Sequence, residues 1–214
     1  MERSVLKFLS LAIGAAITAV GGTAIAQYSS VEEQAYERIA SDGVIELRQY
    51  EPMIIAQTIH AGPRERALAA GFRRLADYIF AEDRPGAEIA MTSPVLQDQA
   101  EAIAMTAPVM QDGVGQGAWR TRFVMPRQYT MATLPAAPDY IQLQEVPTRT
   151  VAAITFSGRA GSEELGRQER ALREWIETNG FEVIGGAEYA FYDAPMVPGP
   201  LRRNEVMIEV STNE

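Results

Sequence analysis

The 214-residue chain contains no cysteine, one histidine (His60) and one lysine (Lys7). The absence of cysteine excludes disulfide bonds, thiolate metal sites and a cysteine nucleophile. The absence of lysine beyond Lys7 excludes a Schiff-base or pyridoxal lysine. A single histidine does not supply the usual ligand set of a zinc site, so no zinc cofactor is expected.

Several sequence motifs of common enzymes are also missing. There is no G-x-S-x-G segment to present a serine to His60. Neither G-x-G-x-x-G nor a P-loop occurs, so no nucleotide cofactor is expected. The formal net charge of −9 argues against a nucleic-acid partner. Acid–base catalysis by paired carboxylates stays open, but the sequence identifies no pair.

Residues 1–26 have the pattern of a secretory signal peptide. Arg3 and Lys7 precede an uncharged apolar run, and Ala24-Ile25-Ala26 places small residues before a cleavage site at Gln27. This predicts export, with the periplasm as the expected location and no stable membrane insertion after cleavage. The alternative is an uncleaved leader that anchors the chain in the inner membrane. The oligomeric state stays open.

After the leader, residues 27–43 form a polar lead-in, and residues 44–212 are predicted to fold. Residues 44–48 (VIELR) and 53–59 (MIIAQTI) are predicted strands separated by a proline-containing break. The next segment, residues 64–80, has apolar side chains at i, i+4, i+7 and i+11. This spacing predicts an amphipathic helix with one apolar stripe, formed by Leu68, Phe72, Leu75 and Ile79.

The same arrangement recurs in the second half of the chain. Residues 141–158 align with residues 45–62, and a predicted helix at residues 162–178 follows. Its predicted apolar face is formed by Leu165, Leu172, Trp175 and Ile176. Further strands are predicted at residues 118–125, 181–184, 188–192 and 205–210. A strand–strand–helix unit used twice predicts an α+β fold with pseudo-twofold symmetry, in which each helix buries its apolar stripe against a sheet.

A second repeat is more local. Residues 89–98 and 103–112 share the phrase I-A-M-T-[SA]-P-V-[LM]-Q-D. Proline favours an extended preceding residue and lacks a ladder donor, so we interpret the copies as two strands or strand-edge loops. The repeated sequence mainly determines the local backbone conformation, and its methionines are candidates to face a ligand.

Several motifs of this chain resemble those of the SOUL haem-binding protein family. They are IELRQYEPMIIAQT followed by GFRRLADYIF, then IAMTAPV, FVMP and YAFYDAPMVPGPLRRNEVMIEV. They occur in order between residues 31 and 210. The resemblance implies a distorted antiparallel β-barrel of two pseudo-symmetric halves with two flanking helices. It also implies haem or another tetrapyrrole as the ligand, held in a shallow apolar cleft beside the first helix.

The expected function is therefore that of an exported bacterial haem- or tetrapyrrole-binding protein acting in sequestration, delivery or sensing. Two alternatives stay open: an enzyme on the same scaffold that uses a cleft carboxylate, and an interaction module without a small ligand. The chain departs from the haem-contacting residues of two family branches. Gln49 stands where one branch has a histidine, and Ala69 and Phe72 stand where another has arginine and methionine.

The remaining candidate site residues follow from their chemistry. His60 is the candidate axial ligand of a haem iron, because neutral imidazole ligates iron; the structural alternative is a histidine that closes a strand end. Met91 and Met105 are candidate soft contacts to a porphyrin, or else core residues. Tyr50 and Tyr78 are candidate hydrogen-bond donors, with iron ligation through the phenolate as the alternative.

The first predicted helix supplies three further candidates. Phe72 and Leu75 are expected in the core, with the alternative that they face the ligand cleft. Arg73 is a candidate partner for a propionate group, because a guanidinium binds a carboxylate through two hydrogen bonds. The alternative for Arg73 is a solvated arginine on the outer face of the helix.

Overall fold

The computed structural model describes residues 32–82, 84–100, 117–193 and 196–211. The chain divides into two compact units, Met1–Glu32 and Glu33–Glu214, and the second contains the fold discussed below. The leader and the second copy of the local repeat, with Met105, lie outside the described residues.

The described elements alternate strands with two helices. In chain order they are β1 (Glu32–Glu33), β2 (Tyr36–Asp42), β3 (Ile45–Tyr50), β4 (Met53–Ala61), α1 (Arg64–Ile79), β5 (Thr92–Ser93), β6 (Val95–Ala100), β7 (Ala118–Val124), β8 (Gln142–Val146), β9 (Arg149–Ser157), α2 (Ser162–Thr178), β10 (Glu182–Phe191), a 3-10 turn (Gly199–Leu201) and β11 (Arg203–Ser211).

Nine of the strands form one antiparallel sheet in the order β2-β3-β9-β11-β10-β6-β7-β4-β8. The α+β prediction is confirmed. The described strands do not close into the expected barrel, because β2 and β8 are the two edges of the sheet. The pseudo-twofold relation stays a prediction.

The two largest differences from the predicted strands are in β10 and β2. The segments predicted as separate strands at residues 181–184 and 188–192 form one strand, β10, whose pairing with β11 shifts between Val183 and Ala187. The lead-in, for which no core face is predicted, contains β2. All seven residues of β2 are exposed, so its hydropathy gives no strand pattern.

The second helix, α2, has the predicted bounds. Leu165, Leu172 and Ile176 are at most 1% exposed and pack against Val206 and Ile208 of β11. These side chains recur at helical spacing on one side of α2, and the strand residues alternate with residues that point to the opposite face. The apolar pattern of α2 therefore predicts its buried face correctly.

The first helix, α1, is also confirmed, but the predicted stripe is not its buried face. Phe72 is 38% exposed and Leu68 is only half-buried, whereas Leu75 and Ile79 are buried as expected. The helix is therefore rotated about its axis relative to the prediction.

The physical reason is the glycine at position 71. A Cβ atom there would lie 2.4 Å from Oγ1 of Thr121 on β7, so only glycine allows this close approach of α1 to the sheet. Ala67 and Tyr78 are buried on the same side of the helix. The side of α1 that contains Gly71 therefore faces the sheet, although glycine contributes no apolar side chain to a predicted stripe.

The face of the sheet away from both helices is concave. A core cluster on this face contains Tyr50, Ile55, Leu96, Val124 and Met207 and no helix residue. Tyr50 belongs to β3 and Ile55 to β4, which stand second and eighth in the strand order. The sheet must curve for side chains of such distant strands to pack in one cluster.

Candidate functional site

The concave face holds a hollow of about 10 Å³, which is room for about one water molecule. A pocket ready to take a macrocycle is therefore not open in this structure. The lining consists of aromatic, apolar and polar side chains from the N-terminal segment and from strands β3, β6 and β11, together with Pro94 and Tyr192: Glu33, Gln34, Tyr36, Tyr50, Pro94, Leu96, Tyr192 and Met207.

A buried ion pair lies next to these tyrosines. The guanidinium of Arg48 donates to both carboxylate oxygens of Glu205, at 2.8 and 3.0 Å, and both side chains are only 4% exposed. Arg48 also donates to the phenol oxygen of Tyr50 at 3.1 Å and to Glu46 at 2.7 Å. Burial of two charges is favourable only when they are paired and their remaining polar atoms are bonded, and Arg48 meets this condition.

The carboxylate of Glu205 has two more partners. Thr155 donates to it at 3.1 Å and the phenol of Tyr192 at 2.7 Å. Burial and then the negative charge of Glu205 raise the pKa of Tyr192 well above its ordinary value. Burial raises the pKa of Tyr50 to about 12, against the opposing charge of Arg48. Both phenols are therefore protonated near neutral pH and act as neutral hydroxyl groups.

A second set of ion pairs continues across the same face. Arg149 donates to Glu188 at 3.0 Å, and Arg122 and Arg120 donate to Asp98 at 2.9 and 3.0 Å. Burial opposes ionisation of Glu188, but the charges of Arg122 and Arg149 outweigh it and lower the pKa of Glu188. For Asp98 burial prevails over its arginines and raises the pKa.

Strand register explains why these residues meet. One row of directly paired residues crosses seven strands of the concave face: Thr155, Glu205, Ala190, Leu96, Arg122, Gln57 and Gln142. Each belongs to a strand in which alternate residues face the same side. The sequence does not predict this network, because charged residues at alternate positions of a strand are also typical of a strand with one face in solvent. The available signal was an aromatic residue on the same face of the strand as the charged residue, as with Tyr50 and Arg48.

Three tyrosine rings of the concave face each have an arginine above them. The Cζ atom of Arg203 lies 3.7 Å from the ring centroid of Tyr192, and that of Arg48 lies 4.4 Å from that of Tyr36. Arg149 lies 6.0 Å from the ring of Tyr50. Guanidinium groups, which bind carboxylates well, thus lie next to the aromatic rings that line the hollow.

The candidate iron ligand, His60, lies away from this hollow. It is half-buried on β4, where it pairs with Trp119. Its Nδ1 atom is buried and has no hydrogen-bond partner within the described part of the chain. Burial, and then the charge of Arg74, lower the pKa of His60, so its ring is neutral at pH 7. Within the described ranges no group of three or more metal-ligating side chains occurs.

The candidates on α1 lie around the core beneath that helix. The ring of Phe72 contacts the ring of Phe123 edge-on at 5.3 Å, and Met91 packs half-buried against the same core cluster. Leu75 is fully buried within it, and Arg73 is exposed. The structure thus brings Phe72, Leu75 and Met91 to one region, separate from the tyrosine-lined hollow; Met105 lies outside the described residues.

None of the helices in the described segments is long and apolar enough to cross a membrane.

A family model described as SOUL heme-binding protein matches residues 31–209 of this chain. No curated protein is similar enough to match it. Among solved structures, the chain is similar to the C-terminal domain of EcmrR, with 12% identity, coverage of 83% of this chain and 99% of that chain, and a TM-score of 0.60.

Two proteins from Listeria innocua have similar structures. One is described as a hydrolase encoded by lin2189, with 11% identity, coverage of 81% and 94%, and a TM-score of 0.54. The other is described as an uncharacterized conserved protein, with 11% identity, coverage of 78% and 92%, and a TM-score of 0.55. At these identities the similarity shows a shared fold alone.

Proposed function

We propose that this chain, which belongs to the SOUL heme-binding protein family, binds haem or a related tetrapyrrole on the concave face of its sheet. The observation that carries the proposal is the hollow lined by Tyr50 and Tyr192 beside a buried arginine–glutamate pair. Flat phenol rings suit a planar macrocycle, and the arginines around them suit its propionate groups.

Contact with the ring can supply most of the affinity. Burial of about 300 Å² of apolar surface at about 25 cal/mol per Å² contributes about 7 kcal/mol before the costs of association. Micromolar binding therefore does not depend on coordination of the iron. This matters because His60 does not line the hollow and because its Nδ1 atom is enclosed by the protein.

The surface beside α1 is the other docking position for the same ligand. There Phe72 is partly exposed, Met91 is half-buried, and Arg73 is available to a propionate. On this surface His60 is the proposed iron ligand, through Nε2, and Met105 a further proposed contact. Leu75 is fully enclosed, so its contact with a ligand would require the core beneath α1 to repack.

We further propose that the chain is exported after cleavage of the leader and that it sequesters, delivers or senses its ligand. An enzymatic role would use the Glu205 carboxylate. That carboxylate already accepts bonds from Arg48, Thr155 and Tyr192, so it is better placed to organise the site than to accept a proton.

The test is an absorbance titration of the purified protein with haemin, compared in parallel with His60→Ala, Phe72→Ala and Tyr192→Phe. A Soret shift that persists in His60→Ala and weakens in Tyr192→Phe supports docking on the concave face. A shift that changes in His60→Ala supports iron ligation, and loss in Phe72→Ala supports the surface beside α1.

The same titration separates the other functions. A spectrum that changes with time, together with a released product, indicates an enzyme. No shift with haemin in any folded variant, and no fluorescence change with metal-free protoporphyrin, would overturn the tetrapyrrole proposal and favour an interaction module.

A further inference from the structure

A short piece of the chain covers the hollow on the concave face. Glu33, Gln34 and Tyr36 contribute to its lining, and we call residues 33–36 the covering segment. The rest of the lining comes from three strands of the sheet, Pro94 and Tyr192. Tyr36 and the Glu33 side chain are 41% and 51% exposed, so the covering segment lies on the solvent side of the hollow.

Tyr36 places a flat ring against the site. Its ring centroid lies 5.2 Å from that of Tyr50, and the guanidinium of Arg48 lies over its face. Its hydroxyl donates to Glu46 at 3.5 Å, the outer limit of a hydrogen bond. The side chain remains 41% exposed, so the ring rests on the site without being enclosed by it.

Glu33 places a carboxylate at the rim of the same site. Its Oε2 atom lies 2.6 Å from Nη2 of Arg203. The guanidinium of Arg203 also lies over the ring of Tyr192, with its Cζ atom 3.7 Å from the ring centroid, so Arg203 contacts both Tyr192 and Glu33. The covering segment therefore places the planar ring of Tyr36 and the carboxylate of Glu33 side by side at the site.

The side-chain interactions of the covering segment are weak, although its backbone is held by strand pairing. The Glu33 and Arg203 side chains are 51% and 43% exposed, and ion pairs of this kind contribute about 0–1 kcal/mol. Glu33 belongs to β1, which pairs with β5, and Tyr36 pairs with Tyr50 of β3. In contrast to these exposed side chains, the Arg48–Glu205 pair is 4% exposed. A ligand would therefore displace the side chains of Glu33 and Tyr36 and leave the strand pairing in place.

We infer that the covering segment occupies the place of the ligand and imitates its chemistry. The ligand is a planar aromatic molecule with carboxylate arms, whose ring replaces Tyr36 against Tyr50 and Arg48 and whose carboxylate replaces Glu33 on Arg203. This inference rests on the proposed function and narrows it to tetrapyrroles that carry free carboxylates. The covering segment competes with the ligand, so the apparent affinity is reduced by the fraction of molecules in which the site is uncovered.

The experiment compares two probes, protoporphyrin IX and its dimethyl ester, which lacks the free carboxylates. Each is titrated by fluorescence, in dilute detergent, into the wild-type chain and into Glu33→Gln, Tyr36→Ala and Arg203→Gln. The matched control is Glu37→Gln, which makes the same change of charge on the neighbouring residue of β2. Glu37 pairs with Gln49 and lies one position out of phase with Tyr36, on the other side of the strand.

The expected result is that Glu33→Gln and Tyr36→Ala bind the diacid at least threefold more tightly, while Glu37→Gln binds it as the wild type does. Arg203→Gln should bind the diacid about tenfold more weakly and the ester unchanged. Far-UV circular dichroism and the melting temperature of each variant establish that it is folded.

Two results overturn the inference while the proposed function stands. In the first, Glu33→Gln and Tyr36→Ala leave diacid affinity unchanged or reduce it. In the second, diacid and ester bind equally to the wild type. Failure of every folded variant to bind either porphyrin overturns both the inference and the proposed function.

Discussion

The guanidinium of Arg48 on β3 binds both carboxylate oxygens of Glu205 on β11, although the two residues are 157 positions apart. The strand between them, β9, pairs with both of their strands, and it contributes Thr155 to the same carboxylate. The pair thus connects the first strands of the described fold to the last.

Breaking this pair from one side should strongly destabilise the protein. Arg48→Met leaves Glu205 buried with two hydroxyl partners and no counter-charge, so we expect a loss of about 3–5 kcal/mol in the free energy of unfolding. Urea denaturation followed by circular dichroism measures this loss.

The control is the double variant Arg48→Met with Glu205→Leu. Removing both charges leaves neither one uncompensated, so the double variant should be more stable than Arg48→Met alone. A double variant less stable than Arg48→Met would contradict this account of the pair.

Close packing of α1 gives a second prediction, based on two helical glycines. Gly71→Ala would bring its Cβ to 2.4 Å from Thr121 Oγ1 and 2.6 Å from Thr121 Cβ, so we expect a loss of about 1–3 kcal/mol in the free energy of unfolding. The matched control is Gly166→Ala in α2, where the nearest atom is a flexible arginine end at 3.5 Å.

For Gly166→Ala we expect a gain of up to about 1 kcal/mol, because alanine has the higher helix propensity. Both free energies come from the same urea denaturation series. The packing argument is wrong if Gly71→Ala is as stable as the wild type.

These two helices also show what the sequence could and could not predict. The buried face of α2 follows from Leu165, Leu172 and Ile176, because large apolar side chains carry a hydropathy signal. The buried face of α1 depends on Gly71 against Thr121, and a glycine that permits close approach has no such signal. The Arg48–Glu205 pair depends on the register of three strands, which the sequence of any one strand does not determine.

The candidate site was predicted in part for the same reason. Of the two candidate tyrosines, Tyr50 lines the hollow, whereas Tyr78 is fully buried in the core beneath α1. Tyr36, Tyr192 and Arg203 were not candidates, because one lies in an exposed edge strand and the others flank a proline-rich segment. Only the folded sheet brings them together.

The single histidine should make stability depend on pH in a defined window. Burial and the charge of Arg74 lower the pKa of His60 below the ordinary histidine value of about 6.5. Below pH 6.5 the unfolded chain binds a proton that the folded chain does not, so this group's effect is to reduce stability as pH falls toward the folded pKa.

The measurement is the free energy of unfolding at pH 7 and at pH 5.5 for the wild type and for His60→Gln, which keeps a polar side chain. We expect a smaller decrease between these two pH values in His60→Gln. Carboxylates titrate mainly below this window and are common to both proteins. An equal or larger decrease in the variant would show that His60 takes up its proton as readily in the folded state.

Arg64, the first residue of α1, connects α1 to the N-terminal end of α2. Its side chain donates to Gln97 of β6 at 3.2 Å, to the carbonyl of Ala160 at 2.9 Å and to the hydroxyl of Ser162 at 3.4 Å. Arg64 is 8% exposed and Gln97 is fully buried, so water does not easily replace these bonds.

Arg64→Ala should therefore reduce the free energy of unfolding by about 2–4 kcal/mol, because the amide oxygen of Gln97 loses its partner inside the protein. Arg64→Lys keeps the charge but cannot reach three acceptors from one planar group, so it should recover only part of the loss. Urea denaturation gives both values, and hydrogen exchange at the N-terminal ends of α1 and α2 locates the effect. A lysine variant as stable as the wild type would show that the charge alone is sufficient, whereas exchange confined to α1 would show that Arg64 does not link the two helices.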